Sequence, residues 1–293
     1  MNSKNKSYPV LQAQLSSKHR ELAPALLYAA GISTFEEKRK RQGLFLTAEI
    51  PAKVKTQGLI EKIRKLESML NQQKVFSSLK IAKIKKGSWA HDYQESLRPF
   101  CLIKTRQGTK TQEVKIDPRG KIPKQLDPNT LYIKASLAFG TGTHATTQLA
   151  SILLSEALML KPKTQVLDLG CGTAILGMLA ERLGAKKIIA VDNDPEALEI
   201  AQENLDINHM KKIKLKSNFK GLHKKFPIIV ANITLNVLLE LKNEIFSRLE
   251  KNGYLVLSGL LYRDCPELLK NYRQLKLIKR MNRKGWAALL LQN

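Results

Sequence analysis

The sequence predicts an α/β fold: a Rossmann-like, doubly wound parallel sheet that ends in an antiparallel hairpin, preceded by a smaller α/β unit of ferredoxin-like type. Three observations carry this. The apolar run at residues 165–167 leads straight into Asp168-Leu-Gly-Cys-Gly172, a strand followed by a glycine turn. A second apolar run ends at Ala190-Val191-Asp192, about 20 residues on, which is the spacing of a nucleotide-binding βαβ unit. From residue 137 onward short apolar runs alternate with amphipathic ones, the rhythm of strands joined by crossover helices.

The elements follow in order. Residues 10–15 alternate apolar and polar side chains and read as a strand, and residues 21–28 read as an amphipathic helix stopped at Gly31. Residues 43–50 form a strand closed by Pro51, which cannot donate to a ladder. Leu59, Ile60, Ile63, Leu66 and Leu70 mark a second helix, and residues 79–84 a third strand. A β-α-β-α-β order of this size makes a small sheet covered by two helices. Residues 101–124 turn polar around Gly108, Pro118, Gly120 and Pro123 and read as a linker with room for one strand pair.

In the second half, residues 146–158 read as a helix with Leu149, Ile152 and Leu153 inward, and residues 166–169 as the first strand. A helix at 175–183 ends at Gly184, and residues 188–191 form the next strand. Asp194-Pro195 sets an N-cap before a proline at the first helical position, opening a helix to about residue 207. Residues 227–231 are a strand, 235–249 a helix and 254–258 a further strand. Residues 275–281 and 286–291 flank the turn Asn282-Arg-Lys-Gly285 as a terminal antiparallel pair. The expected division is a small α/β domain at 1–100, a linker at 101–124 and the doubly wound domain at 125–293.

Composition narrows the function classes. Cys101, Cys171 and Cys265 form no CxxC pair, which argues against a zinc site or a disulfide framework and fits a reducing compartment. No run reaches the length of a membrane span; the best, residues 22–30, is short and interrupted by Pro24. Residues 1–7 lack the apolar core of a signal peptide, so the expectation is a cytoplasmic protein. The net charge of +25 divides into +16 on residues 1–134 and +9 on residues 135–293. Such a field favours polyanions. It fits equally well an organism whose proteins are basic throughout, and both readings stand.

The glycine turn and the acid make a ligand site. Gly170 and Gly172 let a backbone approach a ligand with no Cβ in the way, and the helix opening at Ala174 supplies free N–H groups. Asp192 sits at the tip of the next strand, where a carboxylate accepts both ribose hydroxyls. Asp194 already fills the N-cap position before Pro195, so Asp192 is left for the ribose. The terminal hairpin separates two fold families: a nicotinamide-binding sheet continues with parallel strands, whereas the methyltransferase version ends in an antiparallel pair.

Leu137-Ala-Phe-Gly-Thr-Gly-Thr-His144 with Thr146-Thr147, Asp168-Leu-Gly-Cys-Gly172, Val191-Asp-Asn-Asp-Pro195, Val230-Ala-Asn-Ile233 and Leu257-Ser-Gly259 together closely resemble the signature blocks of one family. It is the S-adenosylmethionine-dependent methyltransferases of large-subunit ribosomal protein eleven. In the first half the resemblance is thinner: Trp89, Tyr93 and Pro99 fall at the spacing of the family's Trp…Trp…Pro segment, with Tyr93 in place of the second tryptophan. Two departures stand out. Ala174 replaces the third glycine of the loop, and Lys134-Ala-Ser136 replaces the family's Asp-Pro-Gly at the substrate entrance.

The resemblance implies a class I methyltransferase sheet and S-adenosylmethionine as cofactor. The implied reaction is methylation of amino groups (lysine side chains, with the N-terminus as a second candidate) of that ribosomal protein. It implies that Gly170, Gly172, Asp192, Thr147, Phe139 and Asn232 bind the cofactor, Thr147 at its methionine part, with Phe139 and Thr141 forming the lid of the pocket. Asn232 is also the candidate catalytic residue. Its amide oxygen would accept a hydrogen from the substrate amine and aim the nitrogen lone pair at the methyl carbon, since alignment matters more here than strong acid–base chemistry.

Each reading has a plainer counterpart: Asn232 as a turn-former in the left-handed region, Thr147 as a helix cap. His144 stays uncommitted, Cys171 reads as packing and Trp286 as core of the final hairpin. The implied partner is a ribosomal protein, with contact to RNA through the basic surface left open, no membrane, and a monomer. The alternatives are methylation of another basic protein or of RNA. Ile233-Thr234 after Asn232 lacks the Asn-Pro-Pro-aromatic motif of many base-amine methylators, and no RNA-recognition signature with paired surface aromatics is visible.

Overall fold

The computed structural model describes residues 7–16, 18, 22–32, 35–40, 42–51, 54–70, 74–85, 97–107, 110–120, 122–134, 142–222 and 224–293. These fall into two units, one within residues 1–96 and one from residue 97 onward.

The first unit runs β1 (Ser7–Leu15), α1 (Ala23–Ala29), β2 (Phe35–Lys40), β3 (Gly43–Glu49), α2 (Leu59–Ser68) and β4 (Phe76–Lys85). Its sheet has the order β2-β3-β1-β4 with every pair antiparallel, the split arrangement of a ferredoxin-like unit. The core is built from one face of the sheet (Leu11, Ala13, Leu46, Ala48, Phe76) against Leu26, Leu27 and Ile63 of the helices. β2 has no counterpart in the sequence reading. Its sequence is Phe-Glu-Glu-Lys-Arg-Lys, without apolar alternation, because an edge strand needs only one partner and is kept from aggregating by charge.

The second unit continues with β5 (Phe100–Gln107), β6 (Lys110–Asp117), β7 (Thr130–Tyr132), α3 (Ala145–Leu160), β8 (Gln165–Leu169), α4 (Ile175–Arg182), β9 (Lys187–Val191) and α5 (Pro195–Ile207). It ends with β10 (Ile213–Lys216), β11 (Phe226–Asn232), α6 (Leu235–Glu240), α7 (Lys242–Arg248), β12 (Leu249–Leu261), α8 (Cys265–Asn271), β13 (Lys276–Arg283) and β14 (Trp286–Gln292). The stretch expected to be a linker holds the antiparallel pair β5–β6, with β7 parallel to β6, and belongs to this unit. Its polar composition misleads because Val114 and Ile116 bury one face while the other stays wet.

The main sheet has the order β10-β9-β8-β11-β12-β14-β13. β10 through β12 pair in parallel, and β14 enters antiparallel between β12 and β13. The last turn uses Lys284 at φ 51 and Gly285 at φ 80, the left-handed pair that a two-residue hairpin requires. β8 and β11 are buried almost throughout, as parallel strands covered on both faces must be.

Three elements of this unit were missed. β10 is a short Ile-Lys-Leu-Lys edge, β7 spans three residues, and α8 follows β12. The helix expected at 235–249 is two, broken at Leu241. From β8 the chain winds outward through β9 and β10, and then returns to lay β11 and β12 on the opposite side. The carboxyl ends of β8 and β11 therefore flank the topological switch point, where such sheets bind ligands.

Candidate active site

β8 ends in a turn that only glycine enters freely. Gly170 stands at φ 66 and Gly172 at φ 51. A Cβ on Gly170 would collide with the side chain of Ile233, so that position is closed by space as well as by backbone angle. Ala174, at φ 61, is the N-cap residue of α4. A non-glycine residue in the left-handed region costs roughly 1–2 kcal/mol, and the buried methyl is accommodated.

Asp192 holds the turn. Its Oδ2 accepts the Gly172 N–H at 2.8 Å and its Oδ1 accepts the Asp194 N–H at 3.1 Å. Each oxygen keeps a second lone pair, so the carboxylate is anchored and still able to take two hydroxyl donors. Asp194 caps α5 by accepting the Glu196 N–H at 3.0 Å, which leaves Asp192 out of that role.

Next to the turn, three buried polar side chains cross the strand ends. Asp168 pairs with Val230, and Asn232 with Ser258. By the two-residue alternation of strands, Asp168, Asn232 and Ser258 project from one face. α3 and α4 meet them there. Ser258 Oγ lies 3.0 Å from the Thr146 carbonyl and 3.2 Å from that of Ala287. Asn232 Nδ2 donates to Thr147 Oγ1 at 3.4 Å, and Asp168 Oδ2 accepts the Gly177 N–H at 2.9 Å.

Two acceptors in this row, Asp168 Oδ1 and Asn232 Oδ1, are buried without a hydrogen-bond partner. Each such atom costs about 1–3 kcal/mol, a cost that a hydrogen-donating ligand would offset. Burial pushes the Asp168 carboxyl up to about 7; the Gly177 N–H pulls the other way and the nearby Asp192 charge raises it further.

Asn232 ends β11 and is not among the residues with positive φ, so it is no left-handed turn-former. Gly259, at φ 86, lets the backbone of Ile233 pass: a Cβ there would come within 2.5–2.8 Å of Ile233 backbone atoms. Thr147 is not the helix cap. That part falls to His144, whose Nδ1 lies 3.4 Å from the Thr146 N–H and 2.8 Å from the Thr146 hydroxyl oxygen. The His144 ring meets Trp286 edge-on at 4.9 Å. Burial first, and then Lys284, holds its pKa down to about 4, so the ring is neutral at physiological pH and structural. The Cys171 thiol is pushed up by burial and by Asp168 and Asp192, which removes the thiolate a nucleophile needs.

Gly170, Gly172, Asp192, Thr147 and Asn232 thus gather at the carboxyl ends of β8, β9 and β11. Phe139 and Thr141, with Trp89 and Tyr93, lie outside the described residues. The sequence reading quoted Asp168 without giving it a role, although an acid inside an otherwise apolar buried strand is itself a signal. It passed over Ser258 as a side chain, and over Asn204, which sits among the apolar positions of α5, and Asn208 at the C-cap of that helix.

A seven-stranded sheet of this order with an antiparallel penultimate strand, carrying a glycine turn, an acid and an asparagine at its switch point, defines the class I methyltransferases. The profile of the family described as "Ribosomal protein L11 methyltransferase (PrmA)" matches residues 14–293. The chain belongs to that family.

Among its relatives, the ribosomal protein L11 methyltransferase of Thermosipho africanus is 40% identical over 161 residues, covering 55% of this chain and 60% of the relative. That of Sorangium cellulosum is 29% identical over 272 residues, covering 92% and 84%. Several of the more similar matches, that of Ruminiclostridium cellulolyticum at 56% included, take in less than two thirds of the relative's length. The crystal structure of a ribosomal protein L11 methylase from Lactobacillus delbrueckii subsp. bulgaricus superposes with a TM-score of 0.54 at 31% identity, covering 61% of this chain and 93% of that one.

The residues present fit S-adenosylmethionine. The glycine turn offers close backbone approach and Asp192 is anchored with acceptor capacity to spare. The two unpartnered buried oxygens call for a ligand rich in donors and positive charge.

Proposed function

We propose that the protein transfers methyl groups from S-adenosylmethionine to amino groups of ribosomal protein L11, on lysine side chains and, as a second candidate, the N-terminus. When bound, the cofactor supplies a methyl on a sulfonium that already carries positive charge. The protein's own task is therefore to exclude water and align a neutral amine. Gly170 and Gly172 hold the nucleoside part, Asp192 the ribose hydroxyls, and Thr147 and Phe139 the remainder. Asp168, with its free oxygen, joins the methionine end of that cradle.

The observation that carries the reading is the Asn232 amide oxygen: buried, unpartnered, at the switch point, with its nitrogen pinned on Thr147. An oxygen so held accepts one N–H of the incoming amine and turns its lone pair toward the methyl. No strong base is required, and the neutral, helix-capping His144 is not in that part. Asn232→Ala should lower turnover about tenfold or more, the worth of one aligned hydrogen bond in the transition state. Unchanged turnover on unmethylated L11, followed by mass spectrometry of the methylated product, would overturn the role. Calorimetric titration tests the cofactor: heat from NADH and none from S-adenosylmethionine would overturn the whole reading.

The first unit is the part that selects the substrate, since every cofactor motif follows residue 137. Contact with RNA has one observation in its favour: residues 211–225 hold seven lysines and no acid around the exposed edge strand β10. Binding to RNA through that edge would weaken by roughly one log unit per log unit of salt for each phosphate neutralised.

A further inference from the structure

Asn204 in the last turn of α5 and Asn208 at its C-cap stand four residues apart, one helical turn, and both are buried. Asn208 clasps the backbone of Tyr132 from both sides, accepting its N–H at 2.8 Å and donating to its carbonyl at 2.8 Å. Asn204 reaches two different backbones. Its Oδ1 accepts the Lys134 N–H at 2.8 Å, and its Nδ2 donates to the Thr173 carbonyl at 3.3 Å.

Thr173 belongs to the glycine turn, next to Gly172 and its tie to Asp192. Lys134 follows β7 and directly precedes the sequence 135–144 that carries Phe139 and Thr141. One buried amide therefore bridges the cofactor turn to the segment that leads into the substrate-side motif. The Lys134–Glu203 ion pair at 2.8 Å lies on the exposed side, where such a pair contributes little. The buried tether is the amide.

Helix propensity and burial both disfavour asparagine at such a site, where a leucine would fill the space. What the carboxamide supplies is an acceptor and a donor about 2 Å apart on one rigid plane, able to hold two backbones in fixed relation.

We infer that Asn204 is a positioning residue that couples the glycine turn to residues 132–134, so that a ligand seated on the turn also orders the backbone entering the substrate side. This rests on the cofactor reading above. Coupling of this kind is reciprocal: whatever ligand binding does to Lys134, fixing Lys134 does to ligand affinity.

The test is amide hydrogen exchange on the full chain, with and without S-adenosylhomocysteine. In the unmodified protein the ligand should slow exchange of the glycine-turn amides and of the Lys134 amide together, the latter at least about fivefold. In Asn204→Ala the turn should still be protected while Lys134 no longer responds. In Asn208→Ala, whose lost side chain touches Tyr132 and not the turn, the response at Lys134 should persist. Should Asn204→Ala fail to fold, Asn204→Ser keeps an oxygen too short to span both partners and carries the same expectation.

Protection of the turn without any change at Lys134 in the unmodified protein overturns the coupling alone, as does an Asn204 variant that transmits as well as Asn208→Ala. No protection of the turn at all overturns the cofactor reading and this inference with it.

Discussion

Replacing Asp168 by asparagine keeps an acceptor for the Gly177 N–H, puts an NH2 group in place of the unpartnered oxygen and removes the ability to ionise. In the folded protein this carboxyl is raised from 3.8 to about 7 by burial. A raised pKa means that the native state binds the proton more tightly than the unfolded chain. Its contribution to stability is complete below pH 3.8 and is lost as pH rises through about 7. The full span corresponds to roughly 4 kcal/mol, of which the part above pH 5 is roughly 2–3 kcal/mol. Urea denaturation of both chains at pH 5, 6, 7 and 8, without cofactor, isolates the effect, because every other titrating group is shared. The wild-type chain should lose roughly 2–3 kcal/mol more than Asp168→Asn between pH 5 and pH 8. Parallel curves would show that the carboxyl is hydrated or paired in solution, and the argument from its unpartnered oxygen would fall.

Asp192→Ala should weaken S-adenosylmethionine binding by about 1.5–3 kcal/mol for each of two charge-assisted bonds, and it also strips the Gly172 amide of its acceptor; calorimetry showing an unchanged affinity would refute it. His144, depressed to about 4, contributes stability above its ordinary 6.5 that is lost as pH falls through 4. A proton resonance titration of its ring should therefore show a midpoint near 4, and a midpoint near 6.5 would mean an exposed ring. A chain beginning at Leu97, which keeps β5–β7, should still bind S-adenosylmethionine but lose methylation of L11. Full-rate methylation by that fragment would remove the first unit as selector.

Particular stretches of this chain mark how far pattern reading goes. The strand–glycine–helix run around Asp168 and Gly172 is legible because parallel strands are apolar throughout and the turn needs φ values that only glycine supplies readily. The Asp194-Pro195 helix start and the terminal hairpin with its Lys284-Gly285 turn are legible for the same kind of local reason. Where local chemistry is weak, the reading failed. β2 and β10 are charged edge strands and β7 is three residues long, while the β5–β6 pair, for which the polar stretch left room, was read as part of a linker. Each exists because a neighbouring strand offers a ladder, a fact no window of sequence contains.

From sequence alone came the class of fold, the central strand–helix alternation and the terminal hairpin, the glycine turn and its acid, and Asn232 as a candidate. These depend on backbone angles, hydrophobic period and spacing, all of which are local. The tertiary structure decided which side chains meet: that Asn232 leans on Thr147 and is not a turn-former, that His144 is a buried neutral cap against Trp286, that Asp168 keeps one oxygen without a partner. It also decided that Asn204 joins residues 31 and 70 positions away. Such contacts arise where crossover connections return distant segments to the same strand ends, and burial then sets the charge state of whatever meets there.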